Sequence, residues 1–238
     1  GGINMQSSVA HRPGSSIALN TDTGLLKLAA IILMVIDHVG YQLMGNDIVM
    51  RSIGRLSFPI FAWCIVVGSE YTHDIKAYMK RMALFYFVSQ PCYVLAFGRQ
   101  WTQHNIYLTL LLGLIAIWAI KDRQYWALPM TLLAAYFMSP NYGMNGVYVI
   151  ILFYLVRGSK LLAALIMTAF CVYWGMDSQV LFNVGSFSVR LQSLAMLSLP
   201  LIIIPTHTNI KLNKYIFYAF YPAHLLIIYA IKQLATAA

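Results

Sequence analysis

Polar residues fall in short clusters along this chain, and nine apolar stretches run between them, at about 25–44, 53–69, 80–97, 105–120, 125–139, 143–156, 159–176, 188–205 and 214–232. A membrane-crossing helix needs about 20 mostly apolar residues, so the pattern predicts nine such helices. Eight or ten remain open, because residues 175–187 could hide a re-entrant piece. The expected fold class is all-α, a polytopic integral membrane helical bundle of about nine transmembrane helices. Residues 1–24 are polar and rich in Gly, Ser and Asn, and they read as a flexible arm before a single transmembrane domain over 25–238. Gly1, Gly2, Ile3 and Asn4 precede Met5 and read as a cloning remnant, and no cleavable signal is evident.

Composition agrees with the pattern. The 238 residues are 60% hydrophobic and only 10% charged, where a soluble domain carries about 25% charged residues. The net charge of +9 raises nucleic acid as a partner. Its basic residues sit in short loops between apolar runs, however, and leave no folded domain to carry a basic patch. The partner expected from composition is the phospholipid bilayer, with no nucleic acid. Loop charges then set orientation by the positive-inside rule. Lys76, Lys80, Arg81, Lys121, Arg123, Arg157, Lys160, Lys211 and Lys214 fall on one side, while Arg51, Arg55, Arg99 and Arg190 fall on the other. This places the N-terminus in the cytoplasm and, with nine helices, the C-terminus outside. Cys64, Cys92 and Cys171 lie in apolar segments without ligand spacing and read as small core residues; no metal is expected.

Candidate chemistry starts in the first apolar run, where Asp37 and His38 lie about two-thirds of the way along residues 25–43. An ionisable group at that depth costs on the order of 2.5–3.5 kcal/mol on insertion scales and marks a functional site by default. Adjacent helical positions point about 100° apart, so Asp37 needs a partner other than His38. Arg55 is the first choice and Arg51 the second; the pair could equally be a plain helix–helix clamp. Lys27 precedes His38 by eleven positions. That puts the two on nearly one face, about 16 Å apart along the axis. An anionic head with a long thin arm, such as an acyl-coenzyme A, fits the spacing, and so does a lysine that merely snorkels. In the last run Pro222 precedes His224 and frees backbone carbonyls, with Tyr218 and Tyr221 alongside. Two histidines, or a histidine and a tyrosine, could serve as base and acid. Gln90, Asn105 and Tyr142 are polar positions in apolar surroundings that could line a pocket or act only as interhelical glue. Glu70, His73 and Asp74 form a loop cluster of ligand-like types.

These motifs carry a resemblance. Lys27, Met34 and Asp37–His38, residues 51–61 (RSIGRLSFPIF), Gln90, residues 105–112, Tyr142, Gly143, Gly146, Val147 and residues 217–225 (FYAFYPAHL) occur in an order that resembles the TraX family of conjugative-pilin acetylases. The likeness to acyltransferase-3 membrane acyltransferases is more distant. The resemblance implies a bacterial inner-membrane enzyme that moves acetyl from cytoplasmic acetyl-CoA to the N-terminal amine of a pilin subunit. On that reading His38 is the general base or a transient acetyl carrier, His224 is its catalytic partner, and Asp37 and Arg55 organise the centre. Lys27, Lys80, Arg81 and Lys211 hold the coenzyme phosphates. Arg51, Gln90, Asn105, Tyr142, Tyr218 and Tyr221 contact the substrate, with Arg55 or Asn105 near the developing oxyanion. Lysine stands at position 27 where the acyltransferase-3 pattern has arginine, and the second, paired-arginine motif has only Lys76, Lys80 and Arg81 in its place. Head-to-tail cyclisation of pilin, O-acetylation of a glycan, a proton-coupled transporter and a non-catalytic pilin chaperone stay open as alternatives.

Overall fold

A computed structural model describes residues 17–237, apart from the side chains of Lys214, Ile216, Thr236 and Ala237. Most of the expected flexible arm therefore lies outside the described residues. Its last part is packed. Leu19 and Asn20 are buried, and Asn20 Nδ2 donates to the Leu201 carbonyl at 2.9 Å and to the Thr206 hydroxyl at 3.0 Å. The indole of Trp63 donates to the Asn20 carbonyl.

The described chain is a helical bundle with one small hairpin. The helices are α1 (Thr23–Gln42), α2 (Ile48–Gly54), α3 (Ser57–Tyr71), α4 (Ile75–Phe97), α5 (Ile106–Lys121), α6 (Ala127–Met138), α7 (Gly143–Val156), α8 (Lys160–Gly175), α9 (Leu199–Ile203) and α10 (Lys214–Ala237). A 3-10 turn (Gln192–Ser198) leads into α9. With α2 and α3 taken as one segment, and the 3-10 turn with α9 as another, nine helical segments occur among the described residues, at the places the apolar pattern predicts. Two of them, Thr23–Gln42 and Ile48–Tyr71, are long and apolar enough to cross a membrane, and five further apolar segments are shorter, at 10–17 residues.

Two elements depart from the expectation. The run at 53–69 is broken, because the Pro59 ring clashes with the carbonyl of Arg55 four residues earlier and interrupts the helix at Arg55–Leu56. The run at 188–205 does not begin as a helix. Val180–Val184 and Phe187–Arg190 pair as antiparallel strands, Val184 opposite Phe187, and only after Leu191 does the chain coil. The residues suspected of re-entry thus form a hairpin, built from the β-branched and aromatic residues that favour strands.

Helix α3 is the axis of the core. Every residue from Ser57 to Val67 is buried, because its sequence has no polar face to give to solvent. Helices α1, α5 and α7 pack around it. The outer helices expose large apolar side chains, among them Leu84, Phe87 and Leu95 of α4, Leu133 and Phe137 of α6, and Leu161 and Leu165 of α8. So extensive an apolar perimeter is what lipid rather than water would cover. Near the N-terminus of α1, Glu70 lies 3.5 Å from Lys121 and 3.7 Å from Arg157, so this carboxylate serves an ion-pair cluster.

Asn20 couples the entry of α1 to the exit of α9 with its whole amide. Replacing it by alanine strands the Leu201 carbonyl and the Thr206 hydroxyl, at a cost of about 1–3 kcal/mol. The Asn20→Ala protein is expected to melt several degrees lower in detergent; a thermal scan checks this.

Candidate functional site

The site is organised by one face of α1. Leu26, Ala30, Met34 and Asp37 recur at helical spacing and are buried. One step round the helix, Lys27, Ile31, Met34 and His38 line two adjoining cavities. Asp37 is 7% exposed and sits between two guanidinium groups. Arg55 Nη2 donates to Oδ1 at 2.6 Å and Arg51 Nη1 to Oδ2 at 2.7 Å. Both candidates for its partner are therefore engaged, one per oxygen. The α2–α3 break carries Arg55 at the joint, and Gly54 lets the joint close on α1. A Cβ at Gly54 would lie 2.2 Å from the Asp37 Cβ and 2.3 Å from its Oδ1. Arg51 also lies over the Tyr41 ring, 4.8 Å from its centre.

His38 and His224 meet. His38 Nδ1 and His224 Nε2 are 2.8 Å apart, with ring planes 6° apart and centres 5.1 Å apart, the geometry of an in-plane N–H···N bond. The tautomers follow from the next link. His224 Nδ1 lies 2.9 Å from the Phe220 carbonyl, which can only accept. The His224 proton is therefore on Nδ1, its Nε2 accepts, and His38 donates through Nδ1. This leaves His38 Nε2 as an open lone pair. Phe97 packs its edge on His38, with ring centres 5.0 Å apart, and Phe220 stacks on His224. Pro222 acts as expected. It leaves the Tyr218 carbonyl without an intrahelical donor, and the Tyr107 hydroxyl supplies one at 3.2 Å.

The outer cavity, of about 640 Å³ including its open mouth, is lined by Asp37, His38, Arg51, Arg55, Arg99 and Tyr142 among others. The inner cavity, of similar size, is lined by Lys27, Cys64, Tyr78, Tyr107, Tyr218 and Phe217. Met34, Phe61, Ile106 and Tyr221 line both, so the wall between them is one side chain thick. A crevice at Thr21, Thr23, Lys27 and Tyr71 adjoins the inner cavity, and a second crevice at Asp22, Thr206, His207 and Lys211 adjoins the first. The hollows thus form a series beside α1. In the last crevice, burial works to raise the Asp22 carboxyl, but hydrogen bonds from Thr208, Leu25 and Thr206 outweigh it and hold the group below its ordinary range.

The sequence-derived candidates divide accordingly. Tyr142 joins the outer cavity, stacked on Phe58 with ring centres 4.0 Å apart; Tyr218 belongs to the inner cavity and Tyr221 to both. Lys27 lies over the Phe217 ring, and Arg81 over the Tyr78 ring with its buried Nε lacking a hydrogen-bond partner. Lys80 is exposed on α4, away from the lining, and Lys211 reaches only the outermost crevice. Asn105 and Gln90 need correction as pocket residues. Asn105 Oδ1 caps α5 through the Tyr107 N–H, and its Nδ2 donates to the Tyr86 carbonyl and to Gln90 Oε1. Gln90 Nε2 donates to the Gln103 carbonyl. Their polar atoms are spent on the α4–α5 turn, leaving Asn105 no free donor for an oxyanion. Among the described residues no cluster of His, Cys, Asp and Glu is placed to hold a metal.

Arg99, Tyr41 and Asn141 line the outer cavity but were not singled out from the sequence. A local signal for Arg99 existed. Gly98 ends α4 in the left-handed conformation, φ 60°, a common helix stop that turns the following residue back over the bundle.

Comparison with known proteins adds three findings. The family model described as TraX protein matches residues 22–232. A probable fimbrial assembly protein, FimC of serogroup H1, from Dichelobacter nodosus is 26% identical over 231 residues, covering 87% of this chain and 94% of its own. A protein of Rickettsia prowazekii (strain Madrid E) is 31% identical over 98 residues, covering 41% of this chain and 37% of its own. No solved structure matches.

Because a Cβ at Gly54 would overlap Asp37, Gly54→Ala forces the carboxylate off one arginine. Overpacking of this kind costs about 1–3 kcal/mol, and an unpaired buried charge more, about 3–5 kcal/mol. Gly54→Ala and Asp37→Asn are both expected to reduce the yield of folded protein, seen as aggregation on size-exclusion chromatography in detergent.

Proposed function

The chain belongs to the TraX family, and from that premise we propose that it is an inner-membrane acetyltransferase acting on the N-terminal amine of a pilin subunit. The family and the fimbrial-assembly relative support a role in pilin biology. The acetyl step rests on one observation, the His38–His224 relay on the outer cavity with Lys27 on the same helical face at the inner one.

In this reading the nine segments cross the membrane with the N-terminus in the cytoplasm. Lys27, Arg81 and, further out, Lys211 attract the phosphates of acetyl-CoA. The unpartnered Arg81 Nε beside the inner cavity fits an anion there, and ammonium and guanidinium groups are the usual phosphate partners. Lys80 would contribute only long-range charge. The narrow series of hollows along α1 suits a thin pantetheine arm running toward His38.

His38 Nε2 takes the proton of the acceptor amine as its nitrogen attacks the thioester carbonyl. The His38 cation that forms shares its Nδ1 proton with His224, whose orientation the Phe220 carbonyl holds. As the tetrahedral centre collapses, the carbon–sulfur bond breaks and the imidazolium returns the proton to the thiolate. Arg55 faces the oxyanion in this reading, a role that electrostatic stabilisation makes worth several kcal/mol in low dielectric. An α-amine has an ordinary pKa near 7.7–8.0, so the base needs little strength.

The test is the intact mass of the cognate pilin from cells with this protein, without it, and with His38→Ala. Addition of one acetyl group to the N-terminal residue is expected, with transfer about 10²–10⁴-fold slower in the variant. Loss of one water in place of the acetyl gain would mean cyclisation, and an unchanged mass would end the pilin reading. Protection of the purified protein from heat by coenzyme A separates an acetyltransferase from a proton-coupled carrier, which has no use for that ligand.

A further inference from the structure

The outer cavity carries more positive charge than the fold uses. Arg51, Arg55 and Arg99 line it, and Asp37 is its sole acidic lining residue. Asp37 divides its two oxygens between Arg51 and Arg55. Among the described residues no carboxylate lies within ion-pair reach of Arg99. Its guanidinium touches the Tyr41 hydroxyl at 3.5 Å, and its Nε is buried without a hydrogen-bond partner. Gln192 Nε2, on the residue whose Oε1 accepts from Arg55, is buried and unpartnered as well. Three guanidinium groups against one carboxylate leave the lining with two uncompensated arginine charges in a partly enclosed space.

Such groups are stable in low dielectric only when paired and hydrogen-bonded. Their placement also runs against the charge rule that orients the chain, since basic residues are depleted on the outer side of a membrane. Topology gives no reason for three arginines there. We propose that the outer cavity binds an anionic group of the acceptor, a carboxylate held by Arg99 and the free edge of Arg51 next to the amine to be acylated. This rests on the acetyl-transfer reading for the identity of the reacting amine, but the anion site itself does not.

The proximity follows from the lining. His38 turns Nδ1 to His224 and so presents Nε2 to the same cavity as the arginines. An amine at Nε2 and an anion at Arg99 would thus share one cavity, which a single acceptor carrying both groups could fill. The fork of a guanidinium matches a planar carboxylate through two parallel hydrogen bonds. Tyr41, under Arg51 and touching Arg99, fixes both forks with its ring and its hydroxyl.

The experiment is thermal stabilisation of the full chain in neutral detergent. Succinate and inorganic phosphate are compared with chloride at equal ionic strength, and Ala-Asp-Gly amide with Ala-Asn-Gly amide. Saturable stabilisation by succinate is expected, with the Asp peptide acting at a concentration at least tenfold lower than the Asn peptide. Arg99→Gln should raise both half-saturation points tenfold or more, while Arg123→Gln, on an exposed loop, should leave them unchanged. Arg51→Lys serves as a second variant should Arg99→Gln fail to fold, since it keeps charge and loses the fork. Stabilisation no better than chloride overturns the site. Equal action of the two peptides overturns the acceptor assignment. Saturation by phosphatidylglycerol in mixed micelles, with loss of the succinate effect, makes the ligand a lipid phosphate and also overturns it. An unmodified pilin with an intact succinate response would remove the acetyl-transfer reading and leave the anion site standing.

Discussion

The clamp of Asp37 between Arg51 and Arg55 is the contact on which the rest of the site depends. A carboxylate on the buried face of an apolar helix must be neutralised, and here each oxygen has its own guanidinium. The clamp joins α1 to α2, and α2 leads directly into the central helix α3, so an electrostatic need in one helix fixes the entry of the most buried one. Breaking such a pair by removing one partner costs about 3–5 kcal/mol, a large share of the 5–15 kcal/mol that a typical domain has in all. Gly54 and Pro59 serve the same geometry. The glycine removes the side chain that would hold α2 away from Asp37, and the proline breaks the helix so that Arg55 can turn back toward it.

With α1 held this way, its two faces divide the work. The buried face ending in Asp37 carries the clamp. The stripe from Lys27 through Met34 to His38 lines the hollows, and His38 meets His224 only because α10 lies against α1 and α4 at that level. The Phe220 carbonyl then sets the tautomer of both rings. A single backbone oxygen thus decides which nitrogen of His38 is open, much as a buried carboxylate does in other histidine relays.

Much of this was legible in the sequence, for a physical reason. Apolar runs of helical length report the helices directly, and an ionisable residue inside one has few explanations, so Asp37, His38, Arg55 and His224 stand out. Lys27 stands out by spacing alone. The breaks were harder to see. The run placed at 188–205 starts too early, because Phe187–Arg190 completes a hairpin with Val180–Val184, which only strand propensity and pairing reveal. Asn105 misled because a polar residue at a helix start reads the same whether it caps that helix or lines a pocket, and here it caps; Gln90, inside α4, is spent on the same turn. Arg99 escaped because its role comes from the direction in which Gly98 turns the chain, which no periodicity records.

The wall of Met34, Phe61, Ile106 and Tyr221 gives the arrangement its remaining logic. Its four side chains interrupt what would otherwise be one continuous hollow beside α1 reaching to His38. A wall one side chain thick separates the two hollows and leaves little to displace between them. Met34 belongs to both cavities and carries the flexible, unbranched side chain best suited to yield and return. Its place on the lining stripe, between Lys27 and His38, means that any group passing from one to the other must move it. The separation of charges follows from the same wall. Lys27 and the buried Nε of Arg81 lie toward the inner hollow, while the arginine-rich lining lies beyond the partition, so the two hollows carry separate sets of cations.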